Sequence, residues 1–163
     1  MKRRGTDAET RLARDDHGAI RLWLRMLATN RLVETRTRRL LQERYGTTLP
    51  RFDLMAQLER APRGLKMGEL SKRMMVTGGN VTGITDMLED EGLVERVADP
   101  ADRRAWLVRL TRAGRRAFVS MAQEHERWVV EAFSELSTRE MSTVAALLAR
   151  LKSHVRSLEE RDA

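Results

Sequence analysis

One stretch of this chain departs from helical periodicity, and it limits what the rest can fold into. Leu93 to Val97 runs Leu, Val, Glu, Arg, Val, and Trp106 to Leu110 runs Trp, Leu, Val, Arg, Leu; both alternate as short strands do. Between them Asp99-Pro100 is a good turn opening. The two runs predict a hairpin with a charged tip. Apolar residues on both sides recur at helical spacing, so the expected fold class is mainly α with one small β-hairpin.

Before the hairpin, Ile20, Trp23, Leu24 and Leu27 form one apolar stripe, which predicts a long helix from about Asp16 to near Tyr45-Gly46. Residues 1–15 are polar and charged and are expected to form a flexible or loosely docked basic arm. Thr48-Leu49-Pro50 marks the next helix start, since a threonine cap and an early proline suit the unpaired amides there. That helix carries Phe52, Met55 and Leu58 until Ala61-Pro62-Arg63-Gly64 breaks it. A short helix over Met67 to Met75 follows, with Leu70 and Met74 one turn apart.

The next segment, Thr77 to Gly92, reads TGGNVTGITDMLEDEG. Val81, Ile84 and Leu88 are spaced three and four apart and form one inward face, and Gly92 falls where a left-handed residue closes a helix. Yet Gly78, Gly79 and Gly83 each cost a helix interior about 0.8–1 kcal/mol relative to alanine. Such glycines could make a phosphate-cradling loop, a helix that lies close to another surface, or a loop whose spacing only imitates a helix.

After the hairpin, Thr111 can cap a long helix whose apolar positions include Phe118, Met121, Val129, Ala132, Phe133 and Leu136. Ser137-Thr138-Arg139-Glu140 is a capping box, in which serine and glutamate satisfy each other's free amides. In the last helix Met141, Val144, Leu148, Leu151, Val155 and Leu158 recur at spacings of three and four, the seam of a helix packed on a helix.

The net charge of +7 over 163 residues favours a polyanionic partner, because each Lys or Arg placed on a phosphate releases condensed counterions. No apolar run approaches the roughly 20 residues of a membrane span, and Met1-Lys2-Arg3-Arg4 is followed by polar residues where a signal peptide needs apolar ones. A cytoplasmic protein with no membrane partner is expected. There is no cysteine, so thiolate nucleophiles and Cys-based zinc sites are excluded. His17, His125 and His154 stand in no metal-ligand spacing, and no metal or other cofactor is expected.

Leu65 to Thr111 resembles the DNA-binding region of the multiple-antibiotic-resistance-regulator (MarR) family of transcriptional regulators. The residues that carry this resemblance are Gly68-Glu69-Leu70-Ser71, Asn80-Val81-Thr82, and Leu88-Glu89 with Gly92-Leu93-Val94. Most specific is Asp99-Pro100-x-Asp102-Arg103-Arg104 followed by Leu107-x-x-Leu110-Thr111-x-x-Gly114. The order of helices extends the likeness from about Ile20 to Leu158. Gly83 departs from the family, in which many relatives place an arginine there.

The resemblance implies a winged helix-turn-helix lobe over 48–111 and a helical dimerisation region over 16–46 and 112–163. It implies a homodimer that reads a pseudo-palindromic operator in double-stranded DNA. The recognition helix would contact DNA through Thr77, Gly78, Gly79, Asn80, Thr82 and Thr85, short groups expected on the face opposite Val81, Ile84 and Leu88. In the wing, Arg103 or Arg104 suits a narrow minor groove, and Asp99 or Asp102 is expected to pair with one of them. Arg96 to Arg116 holds seven arginines against two acids, an imbalance that suits DNA better than a merely soluble turn.

Family members commonly bind a small, often aromatic and anionic effector where the dimerisation helices meet the DNA-binding lobe. In this chain Arg21, Trp23, Met26, Leu27, Asn30, Arg51, Phe52, Asp53 and Met55 would line that cleft. Leu49-Pro50-Arg51-Phe52-Asp53 is similar to members that control breakdown of aromatic acids, which implies an aromatic acid or its acyl-CoA thioester as effector and a repressor as regulator. An enzyme built on the glycines is disfavoured: no lysine-Ser/Thr pair follows them, no strand precedes them and no nucleophile and base are paired. A nucleoid-type protein that binds anionic surfaces by charge alone is the competing possibility.

Overall fold

A computed structural model describes residues 8–75 and 78–162. In chain order these form α1 (Ala8–Tyr45), α2 (Leu49–Glu59), β1 (Leu65–Lys66), α3 (Met67–Met74), α4 (Gly78–Asp90), β2 (Val94–Asp99), β3 (Asp102–Leu110), α5 (Arg112–Ala132) and α6 (Thr138–Asp162). The fold is mainly helical with a small antiparallel sheet, a winged helix-turn-helix. By its contacts the chain divides into two units, Met1–His125 and Glu126–Ala163.

In the first unit α1 begins at Ala8, earlier than the stripe starting near Asp16 implies. Ala8, Glu9, Arg11, Leu12 and Ala13 are good helix formers with no glycine or proline among them, so the backbone continues helical beyond the apolar stripe. Thr48 is extended and its carbonyl accepts the Phe52 amide at 3.1 Å, but its side chain makes no capping hydrogen bond. Pro50, in the first turn, is therefore the stronger start signal.

The sheet has three strands in the order β1-β3-β2, one more than the expected hairpin. Leu65 pairs with Val108, and Val94, Arg96 and Ala98 pair with Leu110, Val108 and Trp106. A strand of two residues is too short to show alternation in the sequence. Helices and sheet close on Leu41, Leu54, Met55, Leu58, Leu70, Val81, Leu88, Val94 and Val108, each at most 2% exposed. Burial of each such side chain stabilises the fold by roughly 1.5–3 kcal/mol.

Two junctions set the wing against its neighbours. Gly92 adopts φ +68°, and the amide of Leu93 reaches back to Leu88 O at 2.9 Å, which closes α4 as a left-handed cap does. Thr111 then ties the base of the wing to α5: its amide donates to Leu93 O at 3.1 Å and its hydroxyl to Gly92 O at 2.7 Å. The same hydroxyl accepts the Gly114 amide at 3.0 Å, the expected cap. Gly114 has to be glycine, because a Cβ there would lie 1.8 Å from Leu93 O.

In the second unit the capping box forms as the sequence implies: the Ser137 amide donates to Glu140 Oε2 at 2.8 Å, and the Glu140 amide to Ser137 Oγ at 3.3 Å. The Ser137 hydroxyl, which donates to Glu140 Oε2 at 2.7 Å, and after it the Ser137 amide hold the Glu140 carboxyl below its ordinary pKa. Met141, Val144, Leu148, Leu151, Val155 and Leu158 of α6 are 38–44% exposed in the single chain. No helix among the described residues is long and apolar enough to cross a membrane.

Candidate nucleic-acid interface

α4 buries Val81, Ile84 and Leu88, as their spacing implies, and it also buries Thr85 completely. Thr85 therefore does not face the groove, contrary to expectation. At 100° per residue it lies one turn beyond Val81 and beside Ile84 and Leu88, so it shares their face. Its hydroxyl donates to Val81 O at 2.8 Å and lies 3.8 Å from Met67 Sδ, which satisfies the buried group.

The exposed row of the first half of α4 is Gly78, Gly79, Asn80, Thr82 and Gly83. Thr77 lies outside the described residues. Thr82 Oγ1 donates to Gly78 O at 3.1 Å, so its proton is engaged locally while its lone pairs face solvent. Asn80 offers both donor and acceptor. No acidic residue stands in the first turn of α4, where unpaired amides and the helix dipole favour a phosphate. A Cβ built on Gly79 or Gly83 meets nothing within 4 Å, so that face is open.

The second half of the helix is acidic, and the structure neutralises it in a way no local spacing foretells. Arg96 of β2 reaches across to α4: its guanidinium pairs with Asp86 Oδ1 at 2.5 Å and with Glu89, and its amide donates to Glu89 Oε1 at 3.1 Å. The hydrogen bond to Asp86, more than any other contact, raises the Arg96 pKa above its ordinary value. One side chain thus joins β2 to α4 and offsets two carboxylates in the second half of that helix.

At the tip, Asp99 Oδ1 accepts the Ala101 amide at 2.9 Å and Asp102 Oδ1 accepts the Arg104 amide at 3.0 Å. Asp99 also pairs with Lys66 at 3.2 Å. The Ala101 amide first, and Lys66 after it, hold the Asp99 carboxyl below its ordinary pKa. The aspartates thus shape the turn through backbone amides and Lys66; of the two arginines expected to pair with one of them, Arg104 makes no ion pair among the described residues, and the side chain of Arg103 lies outside them. Arg104 is exposed.

The arginine excess also needs revision. Arg96 is spent on α4, Arg109 pairs with Glu95 at 2.8 Å, and Arg115 lies 3.4 Å from Glu59. Arg104, Arg112 and Arg116 make no ion pair among the described residues. Fewer of the described arginines stay without an ion pair than the sequence count suggests, and among the described side chains Arg104 is the one at the wing tip.

The nine residues expected to line an effector cleft are not gathered in the single chain. Arg21, Trp23 and Asn30 are exposed on α1, and Met26 and Leu27 are half-buried there. At 1.5 Å per residue Asn30 lies ~22 Å and Arg21 ~36 Å along the helix from Tyr45. Phe52 belongs to the core, its ring 5.4 Å from Phe118 and 4.9 Å from His125. Asp53 faces another way, in a cluster with Glu34, Arg38 and His125. Burial, offset in part by His125 and Arg38, raises the Asp53 pKa, and burial lowers that of His125 against the pull of Asp53.

Of the nine, Arg51 and Met55 border a cavity of about 360 Å³, with Tyr45, Gly46, Thr47, Glu91, Leu93, Ala117, Ser120 and Met121. Sequence spacing offers no signal for this grouping, which draws on four separate segments.

The MarR family profile matches residues 47–106. A solved MarR family transcriptional regulator from Silicibacter pomeroyi is 32% identical and superposes with a TM-score of 0.75 over 87% of this chain and 98% of that one. A MarR mutant from E. coli complexed with operator DNA is 25% identical, with a TM-score of 0.72 over 82% and 95% of the two chains. The transcriptional activatory protein BadR of Rhodopseudomonas palustris is 29% identical over 87% of this chain and 82% of its own length.

Proposed function

The chain belongs to the MarR family of transcriptional regulators, and on that premise we propose that it is a homodimeric repressor that recognises a pseudo-palindromic operator and is released by a small anionic effector. The observation that carries this is the combination of an exposed, acid-free first half of α4 with a wing whose exposed Arg104 makes no ion pair among the described residues. Asn80 and Thr82 offer donors and acceptors to base edges, the first-turn amides of α4 take a phosphate, and Arg104 enters the minor groove. Arg103, adjacent at the tip, and Thr77, just before α4, are assigned to the same surface. The operator-bound E. coli relative supports this mode of binding.

The homodimer rests on the α6 seam, whose six apolar side chains keep more than a third of their surface exposed in the single chain. A second copy would cover them, and two-fold symmetry would place the two α4 helices on half-sites about 34–36 Å apart. An aromatic acid or its acyl-CoA thioester is the class of effector assigned by resemblance. Its release of DNA requires higher affinity for the conformation that does not fit the operator.

The test is an anisotropy titration of the dimer against its own upstream DNA and a scrambled duplex at physiological salt. Tight binding to the first alone is the expected result; equal affinities leave a protein that binds by charge alone, of the nucleoid type. The likeness to an activatory protein favours a second reading, in which the same complex recruits transcription. Deleting the gene separates the two: target transcripts rise for a repressor and fall for an activator.

A further inference from the structure

We propose that the indole of Trp106 lies on the sugar–phosphate ridge of bound DNA, its ring against a deoxyribose and its Nε1–H donating to a phosphate oxygen. The proposal rests on the DNA-reading surface proposed above and adds to it a contact that neither α4 nor the arginine at the wing tip supplies.

Trp106 is 57% exposed on β3, while Val108, two residues along the same strand, is fully buried. Side chains alternate along a strand, and directly paired residues share a face. Arg104, Trp106 and Val108 therefore stand on one face of β3, beside Arg96 and Ala98 of β2, which pair with Val108 and Trp106. On that face Arg96 reaches Asp86 and Glu89 of α4. It is the face of the wing turned to the recognition helix.

Trp106 stands one residue pair, ~7 Å, beyond Arg96 toward the tip, and its exposure shows that α4 does not cover it there. Its cross-strand partner Ala98 is too small to shield an indole and is itself exposed. Arg104 lies as far again toward the tip and makes no ion pair among the described residues. The carboxylates of Asp86 and Glu89 are paired with Arg96, and the Glu95–Arg109 pair projects from the opposite face of the hairpin. A polyanion can thus approach the ring.

That position selects the partner. With α4 in the major groove and the wing tip in the adjacent minor groove, the surface between them spans the backbone that separates the two grooves. An indole there meets deoxyribose carbon, which its apolar face covers, and phosphate oxygen, which its single donor reaches. A wedge between bases fits less well, because wedges enter from within the minor groove and Arg104 stands nearer the tip than Trp106. A ridge contact carries no base information. It sets how the wing seats on the duplex and so how Arg104 is presented to the groove.

The test combines affinity with tryptophan emission in the full chain, using the protein's own upstream DNA and a scrambled duplex of equal length. Trp106→Val removes the ring and keeps a good strand former. Covering on the order of 60 Å² of indole corresponds to roughly tenfold in affinity, so the variant should bind both duplexes weaker by about that factor. The dependence of log affinity on log salt should stay unchanged, since no cation is removed. Trp106→Phe, which keeps a ring and loses the N–H, should fall between. The emission of Trp106, taken as the difference between the native chain and Trp106→Phe, should change on saturation with DNA and become less accessible to acrylamide; Trp23 and Trp128 cancel in that difference. This second readout does not depend on how well the valine variant folds.

Native affinity of Trp106→Val for both duplexes, or unchanged acrylamide access on saturation, would overturn the proposal. So would a loss confined to the upstream duplex, which would assign the ring to a base. Equal losses on both duplexes in a chain that prefers neither would keep the ridge contact and remove the sequence-specific reading. Operator preference with indifference to Trp106→Val would do the reverse.

Discussion

Gly114→Ala is the substitution whose consequence the structure fixes most tightly. The new methyl carbon would lie 1.8 Å from Leu93 O, 2.7 Å from its carbonyl carbon and 3.1 Å from its Cα. All three are backbone atoms, so no rotamer change relieves the overlap, and α5 or the base of β2 must move by more than 1 Å. Overpacking of this kind costs about 1–3 kcal/mol. The movement also breaks the Thr111 bonds to Leu93 O and Gly92 O, each contributing about 0.5–1.5 kcal/mol.

Against this, alanine gains up to ~1 kcal/mol over glycine in a helix. The net loss is on the order of 2–4 kcal/mol. For a chain of this size that is roughly 5–15 °C in melting temperature, measurable by circular dichroism at fixed protein concentration. Operator affinity should fall as well, since the wing is anchored at this junction. Gly83→Ala is the control: its Cβ meets nothing within 4 Å, so it should melt at or above the native temperature. A Gly114→Ala protein as stable as the native one would falsify the close approach.

Four further substitutions address function. Arg104→Ala should weaken operator binding and reduce the dependence of log affinity on log salt by about one contact, with the melting temperature unchanged; native affinity would remove the wing tip from the interface. Gly83→Arg adds a side chain in open space on the exposed face of α4 and should change operator affinity or sequence preference in a binding selection, whereas indifference would place position 83 off the groove. Leu151→Glu puts a carboxylate into the α6 seam and should shift the sedimenting species from dimer to monomer; an intact dimer would move the interface elsewhere. His125 has a depressed pKa, so its contribution to stability is present above its unfolded value of 6.5 and is lost as pH falls through the lower folded value. Asp53 has a raised pKa and contributes in the opposite sense, most below 3.8 and less as pH rises through the folded value. His125→Gln should therefore flatten the loss of stability on acidification below pH 6.5 in denaturant titrations, and an unchanged profile would show that His125 is not buried neutral.

What could be determined from the sequence is what neighbouring residues decide among themselves. Helix spacing located the buried Val81, Ile84 and Leu88, the Thr111 and Ser137 caps act over three residues, and the Asp99-Pro100 turn sits between its own two strands. Motif spacing carried the family because the wing and its exit to α5 are built from contiguous chain. Even locally one inference failed: Thr85 was assigned by its polar side chain to the groove face, although its position one turn beyond Val81 already placed it inside.

The tertiary structure decided everything that joins distant segments. Arg96 faces Asp86 and Glu89, Arg109 faces Glu95 and Arg115 faces Glu59, so the basic excess read from a linear window is partly cancelled by acids outside it or across the hairpin. The two-residue β1 exists only because β3 lies beside it. The cavity at Arg51 draws on the end of α1, the first turns of α2, the exit of α4 and α5, whose proximity follows from core packing that no local periodicity encodes. Charge and periodicity add along the chain, whereas ion pairs and cavities depend on distances in space; hence the sequence specified a winged helix-turn-helix, and only the packed structure could say which charges pair among the described residues.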